Sequence, residues 1–78
     1  MYGPRCELAT RIDSTHYQLA MSVSPGTTNV TVGTPGYLYL PGIARDYTCA
    51  DATGILTFND VVAEADRVYV CYTAAGPL

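Results

Sequence analysis

Asp13-Ser14-Thr15-His16 sets the three residue types of a hydrolytic triad side by side. A triad works by converging a nucleophile, a base and an orienting carboxylate from separately positioned elements, a geometry that neighbours on one turn rarely reach. The simpler chemistry is that of a turn, in which Asp and Ser side chains bond to the backbone just ahead of them. His16 is the single histidine, and Cys6, Cys49 and Cys71 are dispersed with no Cys-x-x-Cys, so zinc spacing is missing. Asp46, Asp51, Asp60, Glu64 and Asp66 crowd one part of the chain, but their spacing matches no EF-hand loop. They read as solvated turn carboxylates. Asn29-Val30-Thr31 fits the glycosylation acceptor pattern, which matters only in a secreted eukaryotic chain. The expectation is a protein with no catalytic residue, no metal and no cofactor.

Three cysteines cannot all pair within one chain, and MYGPRCELATRID has no basic segment followed by an apolar signal stretch. Thiols are expected, in a soluble protein made in a cytoplasm. No apolar run approaches the ~18 residues a membrane-spanning helix needs, so no membrane association is expected.

A chain of 78 residues makes one domain, 1–78, with a thin core, because a fold this small buries only about 60% of its unfolded surface. Disulfides, metals or association commonly supplement such cores. Charged residues are 14% of the chain, against about 25% in ordinary domains. There are seven tyrosines and no lysine. This is compatible with the composition of an extracellular β-protein, and equally with a surface covered by partner subunits, since interfaces are rich in Tyr and poor in Lys and Glu. A net charge of −3 and four scattered arginines (Arg5, Arg11, Arg45, Arg67) make no basic stripe, which argues against nucleic acid.

The elements that must carry these residues read as β-strands. Turn residues punctuate the sequence at Asp13-Ser14, Pro25-Gly26, Gly33 to Gly36, Pro41-Gly42, Gly54 and Asn59-Asp60, a spacing typical of all-β folds. Between them apolar residues alternate with period two, as half-buried strands require. In CELATRI, Cys6, Leu8 and Ile12 share a face with Thr10, opposite Glu7, Ala9 and Arg11. In YQLAMSVS, Tyr17, Leu19, Met21 and Val23 share one. NVTVG turns Val30 and Val32 inward, GYLYLP sets Leu38 and Leu40 against Tyr37 and Tyr39, and DYTCA, ILTFN and RVYVCYT follow. The fold class is all-β: a small antiparallel β-sandwich or partly open barrel of about seven short strands. VVAEAD, too short for an independent helix, reads as a connecting turn.

RDYTCADATGILTFND contains Asp51-Ala52-Thr53-Gly54, which suits a type I reversal with Asp first and Gly fourth. It predicts a hairpin anchored by Tyr47 and Phe58, extended by RVYVCYT into a three-strand meander over residues 46 to 73, with Val68, Val70 and Tyr72 on the core side. In that meander Cys49 and Cys71 flank a middle strand, roughly 9 to 10 Å apart. A disulfide needs Cα atoms within about 7 Å, so this pair is expected to be unbridged.

The run YLYLPGIARDYTCADATGILTFNDVVAEADRVYVCYT resembles a β-sandwich segment of tailed-bacteriophage virion proteins of fibre, tail and capsid-accessory type. The matching positions are Leu38 and Leu40, Pro41-Gly42, Asp46-Tyr47-Thr48, Gly54, Leu56 and Phe58, Asp66, and Val68, Val70 and Tyr72. An Asn-Gly turn before the corner is absent, and Ala65-Asp66 stands where Gly-Asp is usual. The resemblance spans residues 37–73 and implies a non-enzymatic virion protein, a capsid decoration or cement protein or a tail accessory. Its partners would be its own copies, with a trimer as first choice, and a major capsid or tail protein. The alternative is a receptor- or carbohydrate-binding adhesin or fibre module. In either, the outward tyrosines Tyr37, Tyr39 and Tyr69, with Tyr2, are the candidate interface residues, while Tyr47, Phe58, Val68, Val70 and Tyr72 anchor the core.

Overall fold

A computed structural model describes residues 2–33 and 47–78. The elements there are all strands: β1 (Pro4–Leu8), β2 (Thr10–Arg11), β3 (His16–Gln18), β4 (Met21–Val23), β5 (Asn29–Gly33), β6 (Tyr47–Ala50), β7 (Ile55–Phe58) and β8 (Arg67–Pro77). They form two antiparallel sheets, a small sandwich as the alternation predicts. The GYLYLP strand, with its Pro-Gly corner, lies outside the described residues.

The long β8 organises the first sheet. β1 lies along one edge, with Cys6 opposite Cys71 and Leu8 opposite Tyr69. β5 lies along the other edge, with Val30 opposite Val70, and β4 pairs farther along, with Val23 opposite Ala74. Thr73 marks the join of β4 and β5: its carbonyl accepts the Ser24 N–H and its own N–H donates to Thr27 Oγ1. The next residue, Ala74, turns the other way and donates to the Gly3 carbonyl beside β1. The second sheet runs β2-β3-β7-β6.

Both sheets contribute to one buried cluster: Tyr17, Leu19, Leu56 and Phe58 with Val62 from the loop, facing Val23, Val30, Val32, Val68, Val70, Tyr72 and Ala74. Tyr17 meets Phe58 edge-on at 5.6 Å between ring centres. Tyr47, opposite Phe58 in the β6–β7 ladder, is half-buried at the rim, 5.9 Å from that ring. Its hydroxyl lies 2.9 Å from Thr28 Oγ1, tying the second sheet's edge to the segment leading into β5.

Several expectations need correcting. CELATRI and YQLAMSVS are not single strands: each bends and sends its two halves into different sheets, at Ala9 and at Leu19-Ala20. Backbone bonds hold these corners, from Ala9 N–H to the Val68 carbonyl and from Leu19 N–H to the Gly54 carbonyl. The apolar face of β1 is also the outer one, with Leu8 47% exposed, and Ile12, past β2, is 54% exposed. Parity dictates this. The inward row of β8 is Val68, Val70 and Tyr72, and the β1 residues opposite Val70 and Tyr72 are Glu7 and Arg5.

The meander also fails. β7 pairs with β6 and β3, whereas β8 belongs to the other sheet, and the segment after β7 crosses between the sheets. VVAEAD is a turn closed by Asp66 N–H to the Ala63 carbonyl. Its Val62, fully buried, passes through the core while its N–H donates to the Ser14 carbonyl.

At the β6–β7 tip the reversal begins one residue early. The Ala50 carbonyl accepts from both Thr53 and Gly54, and Gly54 takes a left-handed φ of +65°. Gln18 Nε2 donates to the Thr53 carbonyl at 2.6 Å and Val23 N–H to the Asp51 carbonyl, so the tip is seated on the corner between β3 and β4.

Candidate interaction face

Strand alternation sends every second residue of β8 away from the core, and the ladders align these with outward residues of both neighbours. Leu8, Tyr69 and Thr31 form one row, and Cys6, Cys71 and Asn29 the next, with Pro4 beside Thr73 beyond them. None of these eight side chains is charged. Leu8 is exposed and Tyr69 half-buried, so the face is apolar at one end and carries small polar groups at the other.

The second row contains the main chemical correction. Cys6 and Cys71 are joined in a disulfide, with Cα atoms 4.0 Å apart, where free thiols were expected. Ala9 N–H to Val68 O and Ala74 N–H to Gly3 O fix the hydrogen-bonding phase of this ladder, which makes Cys6–Cys71 a non-hydrogen-bonded pair. Directly opposed residues approach most closely at such pairs. Cys49 is the free cysteine, and it is not bridged to Cys71, but the reason differs from the one anticipated: the two lie in different sheets. Burial, then the Asp51 carboxylate, pushes the Cys49 thiol up to about 11, so it is a poor nucleophile at neutral pH.

Behind this face lies a polar cluster. Glu7 receives the Tyr72 hydroxyl and Arg5 Nε (3.1 Å) on Oε1, and the Ala20 N–H (3.1 Å) on Oε2. One carboxylate thus ties together β1, the centre of β8 and the corner between β3 and β4. Burial and the Glu7 carboxylate push the Tyr72 phenol up to about 12. A phenol whose folded pKa is raised favours the fold while it stays neutral, so its contribution is complete below pH 10, the unfolded value, and is lost as pH rises toward 12. Wild-type stability should therefore fall across that window, and Tyr72→Phe should flatten the fall at the cost of about 1–2 kcal/mol at neutral pH from the lost charge-assisted bond. Urea unfolding at stepped pH measures both.

The triad look-alike is a turn, as its local chemistry predicts. Asp13 Oδ1 accepts the N–H groups of Thr15 and His16, each at 2.9 Å, and lies 2.8 Å from His16 Nδ1. The Thr15 N–H first, then the His16 side chain, pulls the Asp13 carboxyl down to about 2. Among the described residues no three of His, Cys, Asp or Glu gather as a metal would require.

Of the candidate interface tyrosines, Tyr69 is on the outer face described above and Tyr2 is 51% exposed just ahead of β1. Tyr37 and Tyr39 lie outside the described residues. Phe58, Val68, Val70 and Tyr72 are buried, and Tyr47 is at the rim. Sequence reasoning missed Glu7 and Val62. Glu7 is the only acidic residue in the first twelve, and Val62 the second of a Val-Val pair, so neither stood out locally. Comparison with family models, with curated proteins and with solved structures returned no match.

Proposed function

We propose that this chain is a non-enzymatic structural protein of a bacteriophage particle, a capsid decoration or cement protein or a tail accessory, acting through contacts between its own copies and with a major capsid or tail protein. The observation that carries the contact role is the uncharged outer face of β1, β8 and β5, where Leu8 and Tyr69 stand side by side. A sheet face turned to water ordinarily alternates toward polar and charged side chains, and apolar groups held on a stiff sheet suit burial against another surface. The disulfide removes one reason for expecting association, since the small core already has a covalent staple. The face itself is the reason that remains. The virion setting is supported by the motif resemblance in residues 37–73.

Light scattering on the size-exclusion peak is expected to give a multiple of 8.3 kDa, a trimer first. Leu8→Lys with Tyr69→Lys should return the monomer with an unchanged circular dichroism spectrum. Co-sedimentation with purified phage particles should follow the same pattern. A wild-type chain that remains monomeric and ignores particles, or a monomer that binds glycans through Tyr69 and Tyr2, overturns the proposal, the latter in favour of an adhesin module.

A further inference from the structure

We infer that the Cys6–Cys71 disulfide is a thiol-exchange site open on the folded protein, reached by small thiols at Cys6. This goes beyond the structural role proposed above and stands without it.

The two cysteines differ in exposure. Cys6 is on the outer strand β1 and is exposed, while Cys71 is half-buried in the middle of the sheet between β1 and β5. A groove of about 330 Å³ runs over the pair, lined by Pro4, Arg5, Thr27, Asn29, Tyr72 and Thr73 as well as the two cysteines. That space accepts a thiol the size of dithiothreitol or the cysteine arm of glutathione, and the charged residue in the lining, Arg5, is a cation that does not repel a thiolate. The attacking thiolate forms a bond to Cys6 Sγ, the Cys6–Cys71 bond breaks, and its electron pair leaves on Cys71 Sγ, which takes a proton from water. The second thiol of a dithiol then attacks its own sulfur, closes a cyclic disulfide and releases Cys6 as a thiol. Two electrons pass from the dithiol to the protein. Exchange rates follow thiolate access to the sulfur attacked, and the more exposed of the two residues is Cys6.

Reduction removes the covalent tie and leaves β1 held to β8 by its five-residue ladder, the flanking Ala9 and Gly3 backbone bonds and the Glu7 bonds, so the redox state of the surroundings sets how firmly the outermost strand is attached.

The test is reduction under native conditions with dithiothreitol, followed by alkylation and intact mass. Doubling the reductant is expected to double the rate, and low, non-denaturing urea should leave the rate unchanged. With glutathione in place of the dithiol, peptide mapping should place the mixed disulfide on Cys6. A rate that saturates with reductant or climbs with urea shows that the bond is reached only through unfolding, and overturns the inference. So does a mixed disulfide on Cys71, or an air-oxidised chain that still titrates three thiols. Repeating the measurement with Cys49→Ala removes the third thiol from the count without touching the site.

Discussion

Replacing Cys6 and Cys71 together by serine is expected to lower stability by about 4 kcal/mol. The crosslink spans 65 residues, and closing a loop of that length withdraws about that much conformational entropy from the unfolded chain. For 78 residues the whole stability is on the order of 4–12 kcal/mol, so the loss is between a third and all of it. Urea unfolding should show the midpoint moving, and the melting temperature should fall by roughly 15–30 °C. Serine keeps the size of the side chains on an outer face, so packing contributes little to the change. Reduced wild type should unfold with the same midpoint as the double variant. If the variant loses less than about 1 kcal/mol, the unfolded ensemble already holds β1 near β8 and the entropic account fails.

Gly54→Ala is expected to be the most damaging single-atom-scale change among the described turns. Gly54 sits at φ +65°, where an L side chain costs roughly 1–2 kcal/mol. Its Cβ would also come within 2.6 Å of the Met21 carbonyl oxygen, a backbone atom that moves only if the corner between β3 and β4 moves with it. That corner is held by Leu19 N–H to the Gly54 carbonyl and Val23 N–H to the Asp51 carbonyl, so the strain spreads into both sheets. A total of about 3 kcal/mol is expected, combining backbone strain with this forced shift. Gly26 supplies the control: its φ is +73°, but a Cβ there meets nothing within 4 Å. Gly26→Ala should therefore cost only about 1 kcal/mol. Equal losses for the two variants would remove the Met21 contact from the explanation.

The position of Glu7 shows how local pattern and global packing can conflict. Taken alone, β1 should turn Leu8 and Cys6 inward, since fully burying a leucine is worth about 1.5–3 kcal/mol. The fold leaves Leu8 47% exposed instead. A one-residue slip of β1 along β8 would turn Leu8 inward, but it would take Cys6 out of its place opposite Cys71. It would also deprive Tyr72 and the Ala20 N–H of the carboxylate they share. The side chain of Glu7 is 16% exposed, and three bonds to its carboxylate offset the removal of that charge from water.

Whatever depends on residues a few positions apart could be read from the chain. The alternation in NVTVG and RVYVCYT put Val30, Val32, Val68, Val70 and Tyr72 in the core, because period two is a property of the extended backbone itself, and the hairpin placed Phe58 there with them. The Asp13 turn and the Gly54 reversal were visible for the same reason, since side chain and backbone meet there within four residues. Beyond the β6–β7 hairpin, tertiary structure alone decided which strand lies beside which. Only the folded chain brings Cys6 opposite Cys71 across 65 residues, sends β8 into the sheet away from β7, bends two apolar runs at Ala9 and Leu19-Ala20, and draws Val62 through the centre. These are choices among pairings that are locally equivalent, and they are settled by the burial of one shared core, a quantity that no short segment carries.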